Sequence, residues 1–210
     1  MIGRFIVLEG VDGAGTTTQA ERLGRALAER GVAVHVTREP SGGPVGTLIR
    51  ELLKGGLKAV DQRAMALLFA ADRMDHLQRE IVPQLDAGTH VLCDRYVLSS
   101  EVYQSRFVEA EFVRTVNAKA RPADLTLYLD VDAETAQARR KGRGGASEMY
   151  ERLALQRRFV EHYRSGIPED ILRREHVDRI DGTQAIDEVF AACLRAIESC
   201  LAAGTGSSSK

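Results

Sequence analysis

A chain of 210 residues, 44% of them hydrophobic, is long enough to bury the core of one ordinary domain without disulfides or metals. Its 29 basic and 30 acidic residues give a formal net charge of -1, which excludes the overall basic field typical of proteins that bind nucleic acid or anionic membranes. The three cysteines lack metal-ligand spacing, and no apolar run approaches the ~20 residues of a membrane span, so we expect a soluble, cytoplasmic protein.

Short apolar, β-branched runs alternate with helical stretches along the chain. The runs are RFIVLE from Arg4, VAVHV from Val32, HVLCD from His90, LTLYLDV from Leu125 and, more weakly, HVDRID from His176. This alternation predicts an α/β fold whose parallel sheet is covered by helices on both faces. Three of the runs end in an acidic residue, at Glu9, Asp94 and Asp130, and open α/β sheets bind ligands at the carboxyl ends of their strands.

The stretches between the runs have helical patterns. We predict helices over TTQAERLGRALAERG up to Gly31, over about 61–86, from Asp132 to Lys141, over about 148–165 and over about 183–202. The part AMALLFAA is too apolar for a solvated surface helix and is either core or a subunit interface. The glycines and cations of KGRGGAS predict a mobile surface loop, and GTGSSSK predicts a flexible tail over 204–210 after a single domain over 1–203.

The segment EGVDGAGTTTQ, residues 9–19, resembles a phosphate-binding loop in which one residue of the pattern is replaced. Gly10 and Gly15 have the spacing of G-x-x-x-x-G-K-[ST], and Thr17 has the hydroxyl position, but Thr16 stands where the lysine belongs. The loop follows a strand and precedes a helix, so its N–H groups and the helix N-terminus predict an anion site. Thr17 and Asp94 are placed to hold Mg²⁺.

Two arginines predict a second phosphate site. Arg38 follows the second run and Arg95 the third, so both guanidiniums are expected at the sheet edge where the phosphate loop lies. Two phosphate sites indicate phosphoryl transfer, although each arginine could instead form a surface salt bridge. Losing the lysine removes a charge whose loss costs on the order of 10³-fold in rate, so catalysis is either poor or uses a cation from elsewhere.

Four further stretches, together with the loop, resemble the thymidylate kinase family. They are TREPSGGPVGTLIRELL (37–53), LLFAADRMDHL (67–77), DRYVLSSEVYQ (94–104) and RRKGRGGASEMYERLALQ (139–156). The resemblance covers residues 4 to about 190. It implies a three-layer P-loop NTPase fold with five parallel strands and a short lid at about 140–150. It also implies a homodimeric enzyme that phosphorylates dTMP with ATP and Mg²⁺.

The resemblance implies a role for each site residue. For dTMP it implies Phe69 on the thymine ring, Arg73 at O4, Ser100 and Gln104 at the remaining polar edge, Tyr103 against the deoxyribose, Asp12 at the 3′-hydroxyl, and Arg38 and Arg95 on the phosphate. For ATP it implies Gly10, Val11, Asp12, Gly13, Ala14, Gly15, Thr16, Thr17 and Thr18 with Arg139 and Arg143. It implies catalytic roles for Arg95, Arg143, Asp12 and Arg38. From the residues alone, Phe69 could equally be helix core.

The source of a further catalytic arginine stays open at this point. In this family it comes from the phosphate loop or from the lid, and Gly13 occupies the loop position here. The lid candidates are Arg139, Arg140, Lys141 and Arg143, while Met149 stands where many relatives carry arginine. We favour an active kinase over two alternatives, a nucleotide-binding homologue with little activity because of Thr16 and a different P-loop enzyme.

Overall fold

The computed structural model describes residues 2–55, 60–140, 146–167 and 169–205. Within these ranges five parallel strands form one sheet in the order β2-β3-β1-β4-β5. The strands are β1 (Phe5–Glu9), β2 (Val34–Arg38), β3 (His90–Asp94), β4 (Leu125–Asp130) and β5 (Val177–Asp181). The five predicted runs are therefore confirmed as strands, and the predicted α/β class with a parallel sheet is confirmed as well.

Helices connect the strands and cover the sheet. They are α1 (Thr16–Glu29), α2 (Pro44–Gly55), α3 (Gln62–His76), α4 (Val82–Asp86), α5 (Val97–Tyr103), α6 (Ala110–Asn117), α7 (Ala133–Arg139), α8 (Ala146–Ser165), α9 (Glu169–Arg174) and α10 (Ile186–Thr205). A π-helical turn, Leu77–Ile81, joins α3 to α4. Among the helices described here, none has the length and apolar character needed to cross a membrane.

The central strand β1 separates two hydrophobic clusters. Successive side chains of a strand point to opposite faces, so Ile6 and Leu8 contribute to one cluster and Phe5 and Val7 to the other. The first cluster includes Leu23 of α1, and the second consists of residues from β1, the π-helical turn, α4, β3 and the segments that follow β3 and α6. Burial on both faces explains why the central strands are almost continuously apolar.

The predicted helices are confirmed, but their boundaries and number differ from the prediction. The sequence analysis missed α2, α5, α6 and α9, which have between 6 and 12 residues and are too short for a clear periodic pattern. The predicted lid at about 140–150 overlaps α8, because Ala146, Glu148 and Met149 favour helix. The helix α10 reaches Thr205, past the predicted start of the tail at 204.

Candidate active site

The phosphate loop, Gly10–Gly15, joins β1 to α1. Gly15 precedes α1 with a φ of 99°, a left-handed conformation that glycine adopts without strain. No side chain caps this helix, so its first N–H groups stay available to an anion. A Cβ on Gly10 would lie 2.8 Å from Cβ of Ala14 and 3.0 Å from the carbonyl oxygen of Leu129, which leaves space for glycine alone. The loop therefore has the backbone of a phosphate site.

Thr16 does not compensate for the missing lysine. It is the first residue of α1, and only 5% of it is exposed. Its Cγ2 atom lies 3.4 Å from the place where a Cβ on Gly10 would be, so the side chain packs against the loop. Because threonine carries no charge, any cation that acts on a phosphate here must come from another element.

Thr17 and Asp94 meet beside the phosphate loop, as predicted. The Thr17 hydroxyl donates a hydrogen bond to Oδ2 of Asp94, while Oδ1 of Asp94 is buried without a partner among the described residues. An unpartnered carboxylate oxygen beside a hydroxyl fits a hard divalent cation. In the described part of the chain, no three His, Cys, Asp or Glu side chains cluster to hold a metal. Mg²⁺ would therefore complete its octahedron with nucleotide and water oxygens.

Asp12, near the tip of the phosphate loop, contacts two arginines. Its Oδ1 lies 2.7 Å from Nη2 of Arg95, and its Oδ2 lies 3.6 Å from Nη1 of Arg140. Its backbone N–H donates to the Tyr103 hydroxyl at 3.2 Å, and its carbonyl accepts from the Gln156 amide at 2.6 Å. Asp12 thus joins the ends of β3 and α7 to α5 and α8.

Arg95 is held tightly beside the loop. Its φ is 72°, a conformation that costs on the order of 1 kcal/mol or more in a residue with a side chain. Its Nη1 donates to the carbonyl of Gly10 at 3.0 Å, and its Cζ lies 5.3 Å from the centre of the Tyr103 ring. Burial raises the pKa of Tyr103 to about 12, so the phenol stays neutral at physiological pH. The salt bridge that was predicted as an alternative role for Arg95 is present. Its partner is Asp12 of the phosphate loop, so the ion pair also keeps Arg95 at the site.

Arg38, at the end of β2, lines a first cavity of about 410 Å³. The same cavity is lined by Thr17 and Asp94, so the structure brings this arginine to the predicted metal pair. Arg38 is exposed and therefore accessible to an anion. The strand ends place Arg38 and Asp94 here and the phosphate-loop motif places Thr17, although the three residues are far apart in the sequence.

Arg73 is almost completely buried, with 1% of its surface exposed. Its Nη1 donates to Oγ of Ser100 at 3.1 Å and to Oδ1 of Asn117. Its Nη2 donates to Oε2 of Glu39 at 2.7 Å and to the carbonyl of Tyr96 at 2.9 Å. Its Nε has no partner in the residues that the structure describes. The side chain is therefore fixed, with one N–H left over.

Of the other predicted base-site residues, Phe69, Tyr103 and Gln104 are half-buried, whereas Ser100 is buried. Gln104 is half-buried, and its Oε1 is a buried acceptor without a partner among described residues. Phe69 is half-buried, which differs from the full burial of a core side chain. Tyr103 packs on Phe159 with ring centres 4.5 Å apart. Ser100 is 2% exposed and bonded to Arg73, so it supports that arginine.

A second cavity of about 480 Å³ lies at the other side of the phosphate loop. It is lined by Gly13, Ala14, Gly15, Thr18, Gln19, Arg139, Gly182, Gln184, Ala185, Ile186 and Val189. Arg139 donates to the carbonyl of Gly182 at 2.8 Å, which fixes it at the cavity wall. Sequence reasoning missed residues 182–189, although they follow the carboxyl end of β5, where the same sheet-edge rule applies. Val11, predicted to bind ATP, is 1% exposed and can offer only its backbone.

Gly13 packs directly against the end of α7. Its φ is 93°, and a Cβ there would lie 2.3 Å from the carbonyl oxygen of Ala136 and 3.0 Å from Cγ of Arg140. Position 13 cannot hold an arginine in this arrangement, so a further cation must approach from the lid side. Arg140 is at the loop already, whereas Lys141 and Arg143 lie outside the described residues.

Two of the three strand-end acids hold the fold together. Glu9 is fully buried and accepts hydrogen bonds from the N–H groups of Tyr96 and Ser99 at 2.8 Å and 3.1 Å, and from the hydroxyls of Ser99 and Tyr163 at 2.7 Å and 2.9 Å. Burial raises the pKa of Glu9 above its ordinary value. Asp130 pairs with two arginines from α8 and β5. Among these three acids, Asp94 alone has a buried carboxylate oxygen without a partner in the described residues, so it remains the predicted ligand.

The fold and the site define a class of protein. A glycine loop joins a parallel strand to a helix, a Thr–Asp pair stands at the first turn of that helix, and this turn lines both cavities. This is the arrangement of a P-loop nucleotide-binding protein with room for two ligands. Known sequences identify the family more narrowly, because the thymidylate kinase family profile matches residues 8–192. The chain belongs to the thymidylate kinase family.

Individual relatives agree with this assignment. A probable thymidylate kinase of Pyrobaculum aerophilum is 43% identical over 189 residues, which covers 89% of this chain and 92% of the relative. The thymidylate kinase of Ruegeria pomeroyi is 41% identical, with 90% and 92% covered, and that of Nostoc punctiforme is 37% identical, with 93% and 97% covered. The resemblance found in the sequence is therefore confirmed.

Proposed function

We propose that the protein transfers the γ-phosphoryl group of ATP to dTMP and produces ADP and dTDP. The family assignment supports this reaction, and one structural observation carries it. The first turn of α1 borders two cavities, because Thr17 lines one with Arg38 and Asp94, and Thr18 lines the other with Gly13–Gly15 of the phosphate loop. Phosphates bound in the two cavities would approach the same helix N-terminus, as transfer between two nucleotides requires.

On the donor side, the second cavity takes the nucleoside of ATP, with Arg139 at its wall. The N–H groups of Gly13 and of Gly15–Thr18 hold the phosphates with the positive end of α1, since those of Asp12 and Ala14 already donate to Tyr103 and Val11. The Thr17 hydroxyl and the Asp94 carboxylate would hold Mg²⁺, since both offer oxygen ligands and Oδ1 of Asp94 has no partner among the described residues. The ion neutralises charge on the β- and γ-phosphates when it is bound.

On the acceptor side, Arg38 and Arg95 bind the phosphate of dTMP, and buried polar groups bind the base. The Nε–H of Arg73 can donate to a carbonyl such as O4 of thymine, and Oε1 of Gln104 can accept from the ring N3–H. Phe69, being half-buried, can present its ring to the base. Asp12 and Tyr103, which contact each other and Arg95, would border the sugar.

The chemistry then needs positioning and charge more than proton transfer. The attacking dTMP oxygen is already anionic, so no strong general base is required, and in-line attack on the γ-phosphorus forms no covalent enzyme intermediate. In place of the lysine lost at Thr16, the cations beside the loop are Arg95 and Arg140. Arg143 would join them from the lid.

A coupled assay of ADP release tests the proposed function. Purified protein is given Mg·ATP with dTMP, with dUMP or with no acceptor, and turnover is expected with dTMP and nearly absent without an acceptor. Release that does not depend on an acceptor would indicate a hydrolase. Normal dTMP binding in calorimetry without any turnover would support the alternative of an inactive homologue.

We also propose a homodimer that forms through α3. The apolar residues Ala64, Leu67, Leu68 and Ala71 follow a helical spacing on a face that is exposed or half-buried, and Leu67 is 50% exposed. Light scattering after size exclusion is expected to give about twice the chain mass of 23.0 kDa. A monomer at micromolar concentration would contradict this proposal. A cytoplasmic location remains a prediction.

A further inference from the structure

The segment Thr37–Ser41, which includes the end of β2 and leads toward α2, contacts α3 at alternate residues. The Thr37 hydroxyl lies 2.9 Å from Nε2 of His76, and Oε2 of Glu39 lies 2.7 Å from Nη2 of Arg73. Ser41 donates from its N–H and its hydroxyl to a single carboxylate, that of Asp72, at 2.7 Å and 2.6 Å. These contacts come from Thr37 within β2 and from Glu39 and Ser41 after the strand has ended.

Arg38 stands between two of these fastened residues and lines the first cavity. Thr37 and Glu39 face α3, so the residue between them is directed away from that helix. The neighbours Arg38 and Glu39 therefore serve different ends of the acceptor. Arg38 lies at the phosphate of the acceptor, and Glu39 contacts Arg73, which lies at the base of the acceptor.

Glu39 is enclosed by two side chains of α3. Its own side chain is 3% exposed, that of Arg73 is 1% exposed and that of His76 is 0% exposed. While Oε2 accepts from Arg73, Oε1 lies 3.4 Å from Nδ1 of His76. Each oxygen of the Glu39 carboxylate thus has its own partner. The His76 ring contacts Thr37 through Nε2 and Glu39 through Nδ1, so it holds the carboxylate in place beside Arg73.

The bonding of Arg73 points to a ligand. Its two Nη atoms have two partners each, but its buried Nε–H has none among the residues described. Native proteins satisfy most buried donors, and an unsatisfied one is costly. The Nε–H of Arg73 is therefore a donor that remains for a group outside the described residues.

We propose that Glu39 and His76 are positioning residues for dTMP. They hold the guanidinium of Arg73 in one orientation, so that its free Nε–H serves the base. Through the peptide bond between Arg38 and Glu39, they also fix the base site relative to the phosphate site. This inference rests on the proposed function, because it assumes that Arg73 contacts the base of the acceptor.

Two substitutions at His76 separate positioning from packing. The amide nitrogen of His76→Asn takes the place of Nδ1 and keeps a donor toward Glu39, whereas that of His76→Gln takes the place of Nε2 and loses it. We expect His76→Gln to raise the KM and Kd for dTMP by about tenfold and His76→Asn by about twofold or less. The KM for ATP should stay unchanged in both, because the ATP site lies across the phosphate loop.

Glu39→Gln is the second test, with Glu169→Gln on the exposed surface of α9 as its matched control. The first is expected to raise the KM and Kd for dTMP about tenfold, and the second to change neither. If Glu39→Gln does not fold, the His76 pair decides alone, and if that pair does not fold, Thr37→Val is expected to raise the dTMP Kd about threefold.

Two results would overturn the inference. One is a dTMP Kd within twofold of wild type in His76→Gln and Glu39→Gln, even if their melting temperatures fall, since that describes a structural role. The other is an equal rise of the Kd in His76→Asn and His76→Gln. A wild-type protein that neither binds nor phosphorylates dTMP contradicts the proposed function instead, so the two failures are distinguishable.

Discussion

The carboxylate of Asp12 lies 2.7 Å from the guanidinium of Arg95, and it joins the phosphate loop to the residue that follows β3. Arg95 keeps this contact in spite of its positive φ of 72°. Strained backbone of this kind persists where the surrounding contacts over-determine it, and it is concentrated at functional sites. The contacts here are the Gly10 carbonyl, Asp12 and the ring of Tyr103.

Arg95→Lys is expected to lower kcat by about 10²-fold or more, because an ammonium cannot bond the loop and a phosphate with the geometry of a planar fork. Steady-state ADP release with dTMP measures the effect. The exposed Arg157→Lys, whose partner is Glu134 on α7, is the control and should behave as wild type. A kcat within threefold of wild type would remove Arg95 from the catalytic machinery.

Thr16→Lys is expected to raise kcat or leave it unchanged, because it restores a phosphate-binding charge beside cations that already serve the site. Arg140→Ala should lower kcat by about 10-fold to 10²-fold in the wild-type background and by less in Thr16→Lys. Arg143→Ala should also lower kcat. Equal losses in both backgrounds would show that Arg140 does not stand in for the lysine, and Arg157→Ala serves as the control.

Gly13→Arg is expected to destabilise the protein and lower kcat, even though it adds a cation to the loop. Its Cβ would lie 2.3 Å from the Ala136 carbonyl oxygen, and its φ of 93° is unfavourable for a side chain. Gly31→Arg is the control, because Gly31 has a φ of 77° but no atom within 4 Å of the place of a Cβ. It should lower the unfolding free energy only by the backbone strain, roughly 1 kcal/mol. Urea unfolding should therefore show a clearly larger loss at Gly13. Equal losses would mean that α7 does not restrict the loop.

Asp94→Asn is expected to raise the free Mg²⁺ concentration needed for half-maximal turnover by about tenfold or more, since an amide is a weaker ligand than a carboxylate. Titration of Mg²⁺ at a fixed total concentration of ATP measures it. Thr17→Ser keeps the hydroxyl and should retain the wild-type requirement, whereas Thr17→Val should not. An unchanged requirement in Asp94→Asn would assign the metal to other ligands.

The buried Glu9 should leave a signature in the pH dependence of stability. Burial raises its pKa above the unfolded value of 4.5, so its contribution to stability is fully present below about pH 4.5 and is lost as the pH rises through the folded pKa. Relative to Glu9→Gln, wild type should therefore lose unfolding free energy as the pH rises above about 4.5. Urea titrations of both proteins at several pH values measure the difference, and a difference independent of pH would contradict the shift.

The sequence predicted the parts of the protein that follow from local pattern. Apolar runs predicted all strands of the described sheet, and glycine spacing predicted the loop. The rule for strand ends predicted Arg38 and Asp94 at the sheet edge of the phosphate loop, and the loop motif predicted Thr17 there; all three line one cavity. These features depend on residues that are close in the chain or on the sheet order, so single-sequence reasoning can find them.

What the sequence could not predict depends on contacts between distant segments. Glu9 and Asp94 both end an apolar strand. The carboxylate of Glu9 accepts hydrogen bonds from α5 and α8, whereas that of Asp94 accepts one from Thr17. The contact between Gly13 and Ala136 and the enclosure of Glu39 by α3 arise only when these elements pack. The short helices α5 and α9 were missed for a related reason, since tertiary packing stabilises them more than their own pattern.

The fastening of Thr37–Ser41 onto α3 has a consequence for the range of acceptors. Because Arg38 and Arg73 are both attached to this segment, the distance between the anion-binding end and the heterocycle-binding end of the acceptor site is fixed. Thymidine, which lacks the terminal anion, would contact the heterocycle-binding end only, and a nucleoside diphosphate would be too long for the anion-binding end. The site would then select acceptors by their length before any bond is made or broken.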